Sequence, residues 1–174
     1  MLDNPLTSWD SYYRSYHPHF PILPDYLDFI KTWNHSNLLL WTVLAIGSKE
    51  MESYSSYRSL LEPKIQQLAA NIYSFQDKPL QSVQALLLLC WWPFNFSATR
   101  NDPSWMYCGQ ATHTALQHGL HRPHHHSDFV YRTELDEASI QIYRRVWAGC
   151  FIINQMLVLL VSSMLARSDN QNSR

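Results

Sequence analysis

The sequence predicts an all-α protein. The expected form is an irregular bundle of about six helices, with an N-terminal strap and a long C-terminal helix. Two observations carry this. Glycine is scarce, with 4 in 174 residues, while 46% of residues are hydrophobic. A β protein of this size needs more turn residues than that. The apolar residues also fall in long stretches bounded by residues that start and stop helices.

The elements follow in order. "SYYRSYHPHFPILP", Ser11 to Pro24, sets three prolines among aromatics and histidines. Proline fixes its own φ and disfavours the α region for its predecessor. Residues 1–24 therefore predict an extended strap lying on a helical body. Asp25 to Thr32 predicts a short amphipathic helix. "LLLWTVLAIGS", Leu38 to Ser48, is apolar nearly all round and predicts a buried helix. A helix capped by Ser55 or Ser56 is expected to reach Phe75, with Leu60, Leu61, Ile65, Leu68, Ala69 and Ile72 on one broad face. Pro63 interrupts it, either as a first-turn residue or as a break.

"SVQALLLLCWW" lies in a helix from Leu80 to Trp92 that Pro93 ends. Ser104 is expected to cap a helix from Trp105 to His118, and Gly119 to stop it. Cys108, Ala111, Thr112 and Ala115 give that helix a small-residue face suited to close packing, or to a ligand groove. Trp105 and Leu116 give it bulk. "LHRPHHHSD" reads as a polar loop. From about Thr133 a long helix runs toward Ala166, and 167–174 form a polar tail. The helical body is thus 25–166.

Charge excludes one class of function. Thirteen Lys and Arg stand against 14 Asp and Glu. A chain that grips phosphates usually carries a basic stripe, and none is visible. Cys90, Cys108 and Cys150 are widely spaced in apolar surroundings and predict reduced, buried thiols. The first residues lack the pattern of a secretory signal.

Four pieces in this order resemble one family: "YYRSYHPHFPIL", "SVQALLLLCWW", "SWMYCGQATHTALQHGLHRP" and "RRVWAGCFI". They are similar to the fungal-specific transcription factor domain, the helical middle-homology region of fungal zinc-cluster transcription factors. The resemblance runs from about Tyr12 to Phe151. It departs at Asn154 and Gln155, where the family carries an Asp-Arg pair, and the family's later G-R-P piece is missing. These departures predict a truncated chain holding roughly the first half of the region.

The resemblance implies a nuclear regulatory domain acting on transcription by RNA polymerase II. It implies DNA contact only indirectly, through a zinc-cluster module absent here, since that cluster needs six closely spaced cysteines. It also implies protein partners or a homodimer, and a small-molecule effector. No enzyme activity and no cofactor are expected.

Zinc needs three or four ligands converging at about 2.0–2.3 Å, usually at i, i+3 or i+4 on a helix. Cys108, His113 and His118 are each five apart and point to different faces. His121, His124, His125 and His126 remain as weak metal candidates in a loop expected to be solvated. No catalytic residues are assigned, because no nucleophile elbow or phosphate-cradling glycine loop appears. Arg144 and Arg145 are expected to pair with Glu134 or Asp136, or to face water. Trp147 to Ala166 carries no charge and has about membrane-spanning length. That suggests an alternative, a membrane-associated or helix-mediated interaction protein. Asn154, Gln155, Ser162, Ser163 and Gly149 within the run argue against a membrane span.

Overall fold

The computed structural model describes residues 5–32, 36–50, 54–72, 78–94, 102–129 and 135–172. Seven α-helices occur among them: α1 Pro5–Ser11, α2 Tyr26–Thr32, α3 Asn37–Gly47, α4 Tyr54–Ala70, α5 Pro79–Trp91, α6 Ser104–Gln117 and α7 Glu137–Asn172. The all-α expectation is met.

Helix α5 is central. Its apolar run leaves every side chain from Ser82 to Cys90 buried. It packs against α3, α6 and α7, while α3 also contacts α1 and α4. A helix apolar on all faces needs partners on all faces, and α5 has them. Ser36 caps α3 by accepting the Leu39 N–H at 3.3 Å. At the far end of α5, Lys49 donates Nζ to the carbonyls of Trp92 and Pro93 at 3.1 Å each. A cation there suits the negative end of the helix dipole.

The strap differs from expectation. Residues 5–11 are α-helical, Tyr12–Tyr16 form a π-helical turn, and His17–His19 a 3₁₀ turn. Only the segment after it, up to α2, is non-helical. His17 is in the α region (φ −53, ψ −39) although proline follows it. Pro18 sits in the first turn, where a missing N–H costs nothing. Aromatic packing also favours the coil: Tyr12 is fully buried, and Tyr16 meets Trp92 edge-on at 5.4 Å.

The strap also belongs to the common core. Phe20 stacks on Trp91 at 4.7 Å and 3°. Tyr13 donates its hydroxyl to the Pro24 carbonyl at 3.0 Å, and buried Gln84 donates Nε2 to Ile22 O at 2.7 Å.

Pro63 lies inside α4, which continues through it. It is exposed, so the hydrogen bond it forgoes lies on the wet side, where water can serve the backbone. The expected cap residues Ser55 and Ser56 fall within the helix, which ends at Ala70. Residues 73–77, where its extension to Phe75 was expected, lie outside the described residues. At the C-terminus, α7 continues through Asn172, so the expected tail at 167 begins as helix.

Candidate functional site

Helix α6 and the turn after it carry Cys108, His113, His118 and the candidate metal ligands His121, His124, His125 and His126. The N-cap role expected of Ser104 falls one residue inside the helix. Asp102 does the work instead, accepting from Ser104 N–H at 2.9 Å and from its hydroxyl at 2.6 Å. The helix stops as expected. Gly119 has φ +69, Leu120 N–H bonds to Ala115 O at 2.9 Å, and Gly119 N–H bonds to Leu116 O at 3.2 Å. That pair of bonds is a Schellman stop, closed by buried Leu120 near buried Ala115. A Cβ on Gly119 would stand 2.7 Å from Phe129 Cγ, so the position excludes other residues twice over.

The histidine segment is solvated only in part: His124, His125, Ser127 and Asp128 are exposed, whereas His126 is buried. Pro123–Asp128 forms a 3₁₀ turn that folds back on α7. His126 is only 5% exposed and meets Tyr143 edge-on at 5.2 Å. His121 packs between Phe129 and Trp147, at 5.2 and 5.7 Å. His124 and His125 face outward, and Arg144 donates Nη2 to His124 Nε2. The four candidates thus split into two that pack on α7 and two that face water. Among the described residues no three His, Cys, Asp or Glu side chains group as metal ligands. Aromatic neighbours, invisible in the loop's own composition, pull His121 and His126 inward.

Burial lowers the His118 pKa. For His126, burial and then the neighbouring His118 lower it, partly opposed by a hydrogen bond to the His118 backbone. Both shifts favour the neutral ring in the folded chain. As pH falls through about 6.5 the unfolded chain takes up protons first. Stability is therefore full above that pH and declines below it, toward the lower folded-state pKa. We expect the urea midpoint to fall between pH 7.5 and 5.5, and the drop to shrink in His126→Phe. An unchanged drop in that variant would remove His126 as its source.

The small-residue face of α6 is a packing face. Cys108, Ala111 and Ala115 are buried, and α6 contacts α5 and α7. Asn154, where the resemblance departs, lies on α7 and donates Nδ2 to Thr112 Oγ1 and to Cys150 O, both at 2.9 Å. It acts as a polar clasp between α6 and α7. Trp105 and Leu116 face solvent.

The three cysteines are buried and free, one each on α5, α6 and α7. Burial first, and neighbouring thiols second, push Cys90 and Cys150 up, Cys150 to about 12. Burial raises Cys108 as well. Such thiols stay protonated in this apolar setting.

Among the described residues Arg144 contacts His124. Arg145 is exposed, and Glu134 lies outside the described residues. Asp136 caps α7, accepting from Ser139 N–H at 3.0 Å.

Helix α7 has two faces. Ile140, Tyr143, Val146, Cys150, Ile153 and Leu157 are buried in the body. Phe151 is 65% exposed and Leu159 68%, with Ile152 and Val158 also in water. Past Leu157 every described side chain, through Ser163, faces water. Glu137–Ser163 holds the one stretch among the described residues long and apolar enough to cross a membrane. Its inner face, however, is part of the protein core.

A further polar residue escaped notice in the sequence. Gln84, inside "SVQALLLL", is 2% exposed and ties the strap to α5. A lone amide in an apolar run was the available signal. Gln84 also lines a cavity of about 220 Å³ between α2, α3, α5 and α7. The ligand groove considered beside α6 is thus not where this cavity lies.

The chain matches the fungal specific transcription factor domain over residues 9–172. It is 31% identical over 147 residues to SEF1 of Eremothecium gossypii, named as a transcription factor, covering 82% of this chain and 13% of that protein. SEF1 of Saccharomyces cerevisiae is 32% identical over 141 residues, covering 78% and 12%. SEF1 of Candida albicans, named as a transcriptional regulatory protein, is 32% identical over 148 residues, covering 79% and 15%. The chain therefore spans 12 to 15% of the length of these relatives. No solved structure is significantly similar to it. With the match running from Trp9 in α1 to Asn172 at the end of α7, the chain belongs to the fungal-specific transcription factor domain family.

Proposed function

We propose that this chain is a regulatory region of a fungal zinc-cluster transcription factor, acting in the nucleus on transcription by RNA polymerase II. The family match across 9–172 carries the reading. With three dispersed cysteines, the chain holds no six-cysteine cluster of its own, so DNA contact falls to another module. Its own work is packing and contact: a helical body, an exposed apolar face on α7 for a protein partner or a second copy, and a small-molecule effector. The reading assigns it no catalysis and no cofactor.

The test is a tethered reporter. Residues 1–174 are fused to an unrelated DNA-binding domain upstream of a reporter gene. Expression should change at least about threefold, in either direction, relative to the DNA-binding domain alone. Expression indistinguishable from that control overturns the regulatory reading.

The exposed run on α7 supports a second reading, a membrane-associated chain. Against it, Val146, Cys150 and Ile153 are buried among other helices, and one helix cannot give the same face to core and to lipid. Carbonate extraction separates the two. The regulatory chain is released to the supernatant, whereas a spanning chain stays in the pellet.

A further inference from the structure

The cavity between α2, α3, α5 and α7 has the features of a small-ligand site. Its walls are mostly apolar, from Phe29 on α2, Leu39 on α3, Leu80 on α5 and Ile142 on α7. Its volume is about 220 Å³. An apolar cavity of about 150 Å³ takes up benzene, while drug-sized ligands need roughly 300 Å³ or more. The space therefore suits a molecule of one ring with a substituent.

One buried polar group gives the cavity direction. Gln84 lines it and is 2% exposed. Its amide nitrogen is committed to Ile22 O at 2.7 Å. That bond fixes which end of the amide is which, because a carbonyl can receive only from the NH₂. The side-chain oxygen is left to accept from a ligand in the cavity that Gln84 lines. A ligand N–H or O–H can donate to that oxygen, and a hydrogen bond formed in an apolar setting favours a ligand that carries a donor. Asp28, which also lines the cavity, is paired with Lys31 at 3.0 Å.

We propose that this cavity binds a small neutral aromatic molecule with one O–H or N–H donor, the ring held by Phe29, Leu39, Leu80 and Ile142 and the donor on Gln84 Oε1. Such a ligand sits beside the Gln84–Ile22 bond. Occupancy would tighten the strap and α2 onto α5 and α7. This deepens the effector part of the regulatory reading, and it is tested without any reporter.

The probes are phenol and toluene, nearly equal in shape and differing in the donor. Binding to the purified chain is followed by nuclear magnetic resonance shifts. Phenol should saturate at millimolar concentration or below and shift resonances of residues at the cavity. Ile142→Phe, which fills the cavity with apolar volume, should keep the fold and weaken phenol at least tenfold. Gln84→Met keeps the volume but removes the acceptor, and should cut the preference for phenol over toluene about three- to tenfold. If Gln84→Met does not fold, Ile142→Phe together with the wild-type ratio of phenol to toluene binding decides the matter. Three results would overturn the proposal. They are no saturable phenol binding by the folded chain, binding unaffected by Ile142→Phe, or a phenol-to-toluene preference unchanged in a folded Gln84→Met. None of these bears on the reporter test, so the two readings fail separately.

Discussion

Leu87→Ala is expected to lower the unfolding free energy by about 2–5 kcal/mol, measured by urea denaturation. Leu87 is fully buried in the middle of α5. Removing its methyls loses transfer energy and leaves a cavity that a packed helix cannot collapse around. Its neighbourhood makes the prediction sharper. A Cβ added to Gly149 on α7 would lie 3.3 Å from Leu87 Cδ1, 3.2 Å from Phe20 Cζ and 3.3 Å from Ile22 Cγ2.

Gly149→Ala alone gains about 1 kcal/mol of helix propensity but crowds three side chains, at a cost of about 1–3 kcal/mol. It should therefore be neutral or destabilising. In the Leu87→Ala background one of the three is gone, and the same change should become neutral or stabilising. The coupling should reach at least about 0.5 kcal/mol. Strictly additive effects would mean that α5 and α7 do not meet at this point.

The second large effect is at Gly47, the last residue of α3. A Cβ there would collide with the Ser8 carbonyl oxygen and stand 2.9 Å from its carbon and 3.0 Å from Oγ. Backbone cannot rotate aside as a side chain can. The two helices are also laced together, since Ser8 donates Oγ to Leu44 O at 2.8 Å. Gly47→Val should cost about 1–3 kcal/mol or more and displace α1. Hydrogen exchange should show the loss confined at first to residues 8–16, with α5 still protected. Gly109→Ala is the matched control. Nothing lies within 4 Å of its added Cβ, so it should raise stability by about 0.5–1 kcal/mol. Equal effects at the two glycines would contradict the close approach of α1 and α3.

These two glycines show how far residues alone could go. Both sit in helices of similar local sequence quality. Nothing near Gly47 in the chain announces Ser8, which is 39 positions away. Gly119 was different: its stop follows from a helix-favouring run ended by a residue that tolerates positive φ. The buried α3 and α5 were equally legible, because a run of apolar side chains has few places to go besides a core. The histidines were not. Their loop is polar by composition, yet Tyr143, Phe129 and Trp147 supply packing surfaces from elsewhere in the chain.

The strap failed for a related reason. Proline rules speak of one residue and its neighbour, whereas Tyr12, Tyr16 and Phe20 answer to Trp91 and Trp92, which lie more than 70 positions later. The candidate site divides along the same line. The order of family motifs, the absence of a phosphate loop and the apolar run on α7 were local or cumulative properties, open to reading. By itself the sequence determined the helical class, the core helices, the α6 stop and the family. Tertiary structure alone decided the coiled strap, the inward histidines, the Asn154 clasp and the Gln84 cavity. Each of these depends on groups far apart in the chain, and periodicity carries no information about which distant side chain will meet which.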